Sequence, residues 1–448
     1  MRHCFAPLVL AFGLGGSFAA PLRADEVSSF TLDNGMELVV IEDHRAPVVT
    51  HMVWYRIGAA DEVQGQSGIA HFFEHLMFQG TDDLAAGAFS ATVEAQGGND
   101  NAFTSFDYTA YYQRVAADRL DLMMQMEADR MRDLALTEED VTTERQVILE
   151  ERAQRTDSDP GALLQEQMAA AQFLNHPYGR PIIGWRHEIE TLNRDTALAF
   201  YRANYAPNNA IVIVAGDVDP AAVFELAKAN YGALLPSAEI KPRKRPSEPP
   251  QLGERRIVVV DERVSEPYVI RSYLAPERNS GDQKKAAALA ILADLLGGNP
   301  TTSIFARELQ FKRKVAVWSQ AFYDGTSVDA DTFGVYISPV PGVSLSDAEA
   351  AMDDVIAGFL KAGVDPEELA RIKTQIRASK IYGREEASGL ANEDGEALVV
   401  GLTVNDVQEW PQVLQAVTEA DVMAAAEEVF DRRKAVTGWL VSSEEQNQ

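Results

Sequence analysis

Phe30-Thr31-Leu32-Asp33-Asn34-Gly35-Met36-Glu37-Leu38-Val39-Val40-Ile41 sets an Asn-Gly pair between two apolar-rich runs. Asn and Gly tolerate the left-handed backbone of a tight reversal, so the stretch reads as two strands joined by a turn. Val48 to Tyr55 reads as a further strand. From Gly68 to Met77 the spacing changes: Ile69, Phe72, Phe73 and Leu76 recur at the period of a helix with one buried face. The same order returns downstream. Arg256-Ile257-Val258-Val259-Val260 and Tyr268 to Leu274 read as strands, and Lys284 to Leu296 as an apolar helix ended by Gly297-Gly298-Asn299-Pro300. Strand, strand, helix thus occurs twice without regular βαβ alternation. The expected class is α+β, with two similar α+β domains in tandem.

A chain of 448 residues has room for two such domains. Between the copies, Pro236, Pro242, Pro246, Pro249 and Pro250 stand among charged residues, a composition that fits an extended linker. The expected division is therefore 25–235, a linker at 236–253, and 254–448. Apolar residues make up 46% and charged residues 24%, the balance of a folded protein. A net charge of −28 argues against nucleic acid as a partner, because phosphate binding needs clustered Lys and Arg.

Residues 1–24 read separately. Arg2 and His3 precede an apolar run from Phe5 to Leu14, the small-residue stretch Gly15 to Ala20 follows, and cleavage is expected after Ala24, with Ala19 as the alternative. This is the layout of a cleaved secretory leader, and the run is shorter than the ~20 residues of a spanning helix. No later segment is apolar enough to span a bilayer. The expected location is export, to the periplasm. The single cysteine, Cys4, lies inside the leader, so disulfides, cysteine-ligated zinc and thiol nucleophiles are excluded from the remainder.

The chemistry gathers in His71-Phe72-Phe73-Glu74-His75. On a helix, positions i and i+4 share a face, so His71 and His75 can offer two imidazoles to one cation, with Glu74 close by. Zinc suits two neutral imidazoles and leaves room for a third ligand and for water, whose proton a neighbouring carboxylate can take. The order His-x-x-Glu-His is that of the inverted zinc-peptidase motif. Candidates for the third ligand are His176, His187 and carboxylates of a helix opening at Thr137-Glu138-Glu139-Asp140, a capping box with Asp in its last place, and running to Arg155 at least. On that helix Glu144 and Glu151 stand two turns apart on one face, an arrangement equally expected of a solvated acidic surface.

Together these features resemble the pitrilysin-type metallopeptidases, which include mitochondrial processing peptidase and insulin-degrading enzyme. In that family a segment Glu-Arg-x-Val-(Ile/Val)-Leu-x-Glu follows the inverted motif, and Glu144 to Glu151 has this form. The resemblance implies one zinc ion per chain, held by His71, His75 and Glu151, with Glu74 as the base. It implies that Glu144 orients the ligands, and that Glu150, about 100° away on the helix, does not bind. Gly97 to Thr109 resembles the family's strand beside the active site, which implies that Asn101, Ala102 and Phe103 bind an extended peptide by edge pairing. His176-Pro177-Tyr178-Gly179 and Tyr205 to Asn209 resemble structural segments, and Leu296 to Leu309 and Glu368 to Gly401 resemble the family's non-catalytic domain.

The implied activity is that of a zinc-dependent endopeptidase acting on extended peptides or small unfolded polypeptides. The strand Phe333 to Ile337 has no Arg for the Arg–Tyr pair with which active members hold substrate. The pair is then expected from a second chain, either a related metal-free partner or another copy. Two other readings compete: a structural subunit without turnover, and a peptide-capture protein that keeps zinc and cleft but does not cleave.

Overall fold

The computed structural model describes residues 27–383 and 386–443. The leader assigned to 1–24 lies outside the described residues. Six strands form the first sheet: β1 (Val27–Thr31), β2 (Glu37–Glu42), β3 (Val48–Tyr55), β4 (Asn99–Thr104), β5 (Thr109–Ala116) and β6 (Ala210–Gly216), in the order β1-β2-β6-β3-β5-β4. β1 and β2 are the hairpin expected from Asn34-Gly35, with Phe30 opposite Leu38 and Gly35 at φ +86°. Eight helices accompany this sheet in sequence: α1 (Ile69–Leu76), α2 (Ala88–Ala95), α3 (Leu120–Arg132), α4 (Glu138–Arg152), α5 (Pro160–Gln172), α6 (Arg186–Ile189), α7 (Arg194–Asn204) and α8 (Pro220–Tyr231).

The second sheet contains β7 (Arg255–Asp261), β8 (Tyr268–Ala275), β9 (Ala316–Tyr323), β10 (Asp331–Pro339) and β11 (Ala435–Ser442), ordered β7-β11-β8-β10-β9. Its helices are α9 (Lys284–Ala293), α10 (Leu345–Ala362), α11 (Pro366–Gly383), α12 (Ala387–Val399), α13 (Val404–Ala416) and α14 (Glu419–Val429). Pairing repeats the first sheet without β1. β2 runs parallel to β6 and β7 parallel to β11, while the remaining neighbours are antiparallel. The α+β class and its duplication are therefore present in the topology itself.

Burial explains why β6, Ala-Ile-Val-Ile-Val-Ala-Gly, is apolar throughout: both faces of its sheet are covered. On one face Val212 and Val214 join Val53, Tyr55 and Tyr111 in a core shared with Phe72 and Phe73 of α1. On the other, Ile211 and Ile213 meet Trp54, Met52 and, from α12, Ala391, Leu398 and Val399. α12 thus leaves its own half of the chain to roof the first sheet. The exchange is reciprocal: Leu164 and Met168 of α5 pack on Val436 and Leu440 of β11 in the second sheet. A glycine makes each contact close. A Cβ on Gly395 would lie 2.2 Å from the Trp54 ring, and one on Gly438 would lie 2.2 Å from Met168 Sδ.

Residues 236–253 have no regular structure, as their prolines dictate, but side chains pin them along both halves. Arg245 pairs with Asp61, Asp107 and Asp329, while the Glu248 carboxylate accepts the N–H groups of Leu174, Asn175 and His176. Among the described residues no helix is long and apolar enough to cross a membrane.

Candidate metal centre

Helix α1 is short, and its sequence divides it cleanly. Ile69, Phe72, Phe73 and Leu76 are buried, with the Phe73 ring 4.8 Å from that of Tyr205 and 5.3 Å from that of Tyr201. Burying each of these side chains is worth about 1.5–3 kcal/mol, so the apolar face fixes the rotation of the helix. That rotation turns His71, Glu74 and His75 toward α4 and β4.

Helix α4 begins with the expected capping box, Thr137 and Asp140 exchanging hydrogen bonds. It presents Glu144 and Glu151 to α1 on one face, as their spacing requires. Glu151 Oε2 lies 3.7 Å from His71 Nε2 and 3.5 Å from His75 Nε2. Among the described residues this trio is the one group of three or more His, Cys, Asp or Glu side chains whose donor atoms all lie within 4.8 Å of one another. These separations are long for hydrogen bonds, which fall near 2.7–3.2 Å. They suit ligands around a common ion, because bonds of about 2.0 Å arranged tetrahedrally set ligand atoms about 3.3 Å apart. The donor set, two imidazoles and a carboxylate, is one that zinc accepts with a position left open.

The surrounding charges fit the same reading. Burial, reinforced by the charge of His75, pushes the His71 imidazole down to about 4, leaving it neutral and able to donate a lone pair. Burial opposes protonation of His75 too, but the flanking Glu144 and Glu151 carboxylates outweigh it and raise that ring to about 9. Two carboxylates around His75 thus call for positive charge, which a divalent cation also supplies. Glu144 Oε2 stands 3.4 Å from His75 Nδ1, and Gln79 Nε2 donates to its other oxygen at 2.9 Å. Glu74, 8% exposed, accepts the Thr104 hydroxyl of β4 at 2.6 Å, and burial raises its carboxyl above the ordinary value.

The remaining candidates separate. Glu150 is exposed and accepts Gln154 Nε2 at 2.7 Å along its own helix. His176 is buried against Tyr178 with Nε2 3.1 Å from Asp329, at the junction of the two halves, and His187 is exposed beside Glu188. Neither joins His71 and His75. Asn101, Ala102 and Phe103 lie on β4, the last strand of its sheet, which among the described residues pairs with β5 alone and leaves its other edge free. Phe103 packs edge-on against Trp54, and the Ala102 N–H is taken by Asn101 Oδ1 at 2.9 Å. Three neighbours of the centre escaped the reading of the sequence: Thr104 and Gln79, which carry no signal of their own, and Arg155. Arg155 binds Glu151 at 2.7 Å, and its i+4 spacing could have been read.

Residues 38–185 match the model of the insulinase family, peptidase family M16, and residues 191–376 match that family's inactive domain. The zinc protease PqqE of Helicobacter pylori is 33% identical over 441 residues, which cover 96% of each chain. The chain belongs to the insulinase family of peptidases. A zinc protease of Streptomyces coelicolor is 29% identical, over 91% of this chain and 88% of that one. Among solved structures, a protease from Helicobacter pylori superimposes with a TM-score of 0.87 at 30% identity, over 93% of this chain and 100% of that one. Pitrilysin shares the fold, with a TM-score of 0.79 at 15% identity; there this chain spans 94% of its own length and 45% of the other. In this insulinase-family chain the inverted motif sits within the segment matching the family's first domain, and the second sheet begins within the segment matching the inactive one.

Proposed function

We propose that this insulinase-family protein is a zinc-dependent endopeptidase for extended peptides or small unfolded polypeptides, with the division 25–235, 236–253 and 254–448 into catalytic domain, linker and non-catalytic domain. The observation that carries the proposal is the meeting of Glu74 with His71, His75 and Glu151 beside a free sheet edge. His71, His75 and Glu151 would hold one zinc ion. When bound, zinc supplies Lewis acidity, which polarises a carbonyl and acidifies water.

The chain's own groups do the rest. Glu74 accepts the proton of the attacking water and returns it to the leaving amine, a cycle that needs a carboxylate and no further base. Thr104 fixes one Glu74 oxygen and leaves the other for that task. Glu144 orients the His75 ring through Nδ1, and Arg155 holds the Glu151 oxygen turned away from the imidazoles. β4 receives the substrate as an added strand at Asn101, Ala102 and Phe103. Backbone pairing accepts any extended sequence and rejects folded ones, which defines the substrate class. The Ala102 N–H, which Asn101 Oδ1 accepts in the structure, would exchange that partner for a substrate carbonyl. We place the protein in the periplasm, after removal of residues 1–24, working with a related metal-free chain or a second copy.

The test is to purify the protein without its leader, measure zinc per chain, and follow hydrolysis of an unstructured peptide before and after chelation. Stoichiometric zinc with chelator-sensitive cleavage is expected. A chain that binds no zinc, or that binds zinc and cleaves no peptide alone or with a partner, overturns the proposal.

A further inference from the structure

The two helices that carry His71, His75 and Glu151 are joined at one end by a set of buried contacts in which none of those three side chains takes part. Helix α1 starts at Gly68, whose φ of +87° and missing side chain leave the helix without an ordinary cap. Glu62 replaces it from outside. Its carboxylate is 6% exposed and accepts the Gly68 N–H at 3.1 Å and the Ala70 N–H at 2.9 Å, two of the donors that a helix start leaves without partners. The Arg180 guanidinium holds the Glu62 carbonyl at 3.2 Å.

Against this start sits the turn at Gly184, φ +91°. The two glycines stand back to back. A Cβ on Gly184 would lie 2.5 Å from Ser67 O and 2.6 Å from Gly68 Cα, and a Cβ on Gly68 would lie 2.5 Å from Ile183 O. No side chain other than hydrogen fits at either place. Ser67 Oγ accepts the Trp185 N–H at 2.9 Å, and Glu188 accepts the Ser67 N–H at 2.7 Å.

The turn is held in turn by α4. Arg152, the neighbour of Glu151, is 4% exposed and donates to Gly184 O at 2.8 Å. The same guanidinium grips both oxygens of Glu166 on α5, at 2.8 and 3.1 Å. Because consecutive helical residues diverge by about 100°, Glu151 reaches the imidazoles while Arg152 reaches the turn. Glu62, Gly184 and Arg152 therefore link the start of α1 to the end of α4 by a path of hydrogen bonds and one close backbone contact.

We propose that Glu62, Gly184 and Arg152 are positioning residues that set the spacing of His71 and His75 from Glu151 and so tune the affinity of the metal centre. The inference rests on the reading of those three side chains as ligands. A ligand atom misplaced by a few tenths of an ångström weakens a site whose bonds are about 2 Å long, and the removal of orienting partners costs about 10–100-fold in affinity.

The test measures metal affinity apart from turnover. Apo protein is titrated with Zn2+ against a competing chelator, and with Co2+ by visible absorption, for wild type, Gly184→Ala, Glu62→Gln and Arg152→Lys. Unfolding midpoints are taken with and without metal. About 10–100-fold weaker binding is expected, with a changed Co2+ spectrum and a smaller metal-induced rise in midpoint. A purely structural role lowers the midpoint equally with and without metal and leaves affinity unchanged; folded variants that behave so overturn the inference. Glu62→Gln adds no atom to the interface and decides the matter should Gly184→Ala not fold. A wild-type chain that binds neither ion removes the metal-centre reading and this inference with it, whereas wild-type binding matched by every variant removes this inference alone.

Discussion

Glu74→Gln isolates proton transfer from everything else that Glu74 does. The side chain is 8% exposed between α1 and β4, and Thr104 Oγ1 donates to it at 2.6 Å. An amide has the same shape, and its oxygen accepts the same hydroxyl, so the wall of the site stays filled. The substitution also removes a carboxyl whose ionisation burial disfavours. The fold without metal is therefore expected to be no less stable. His71 Nε2, His75 Nε2 and Glu151 Oε2 are untouched, so metal content is expected to stay at the wild-type level.

What disappears is the capacity to take a proton. A positioned general base contributes about 10²–10⁴-fold. At 1.36 kcal/mol per factor of ten, its loss raises the barrier by about 2.7–5.4 kcal/mol. The assay is kcat and KM on an unstructured fluorogenic peptide, with metal quantified in the same preparation. A fall in kcat of about 100-fold or more, with KM and metal nearly unchanged, is expected. Near wild-type turnover at full metal content would refute the role of base. Loss of metal together with turnover would show that Glu74 is a ligand instead.

Glu151→Ala is expected to abolish stoichiometric metal binding and Glu150→Ala to leave it intact, as read by metal analysis after dialysis; the reverse result would reassign the face of α4. Gly395→Ala is expected to destabilise the fold: helix propensity favours Ala by about 1 kcal/mol, but a Cβ 2.2 Å from the buried Trp54 ring overpacks at about 1–3 kcal/mol, for a net loss of up to about 2 kcal/mol in urea unfolding. Burial raises the Glu349 carboxyl, yet Arg256, Arg271 and Trp439 outweigh it and hold it near 2, below the ordinary 4.5. Its contribution is then complete above pH 4.5 and lost as pH falls toward 2, so Glu349→Gln is expected to flatten the urea midpoint across that window. Light scattering is expected to show a dimer, or a chain whose peptide cleavage rises when a related metal-free partner is added; a monomer at full rate without any partner would rule both out.

Periodicity made part of this fold legible. The hairpin at Asn34-Gly35, the apolar face of α1 and the cap at Thr137 are local patterns, and each element stands where its pattern lies. The duplication was legible too, because strand and helix text recurs in one order. The exchange of α5 and α12 was not. Leu164 and Met168 have the spacing of any helix that buries one face, and nothing in that spacing names the sheet they cover. The candidate centre divides along the same line. The His-x-x-Glu-His spacing fixes a shared face by helix geometry alone, but a third ligand distant in sequence depends on which helix packs on α1. His176, His187 and the acids of α4 were equal contenders on residue type. The packing of α4 on α1 brings in Glu151, and the junction of the two halves claims His176.

The exchange also gives the second half a physical role although it lacks the motif. Glu151 stands one residue from the end of α4, where the helix loosens into a wider turn at Ala153–Asp157 and re-forms as α5. Such wide turns are frequent at functional sites because they re-aim the residues around them. α5 lies on the second sheet, fixed there by Leu164 and Met168, while Arg152 ties α4 to α5 through Glu166. The second sheet cannot move relative to the first without carrying α5 with it or exposing those apolar side chains. The position of Glu151 is thus coupled to the packing of a half of the chain that, among the described residues, adds no side chain to the group of His71, His75 and Glu151. A chain cut between the two halves would leave Trp54 without its α12 cover and α5 without the sheet it packs on. For the same reason, loss of the second half is expected to disturb the centre even though every group proposed to bind metal lies in the first.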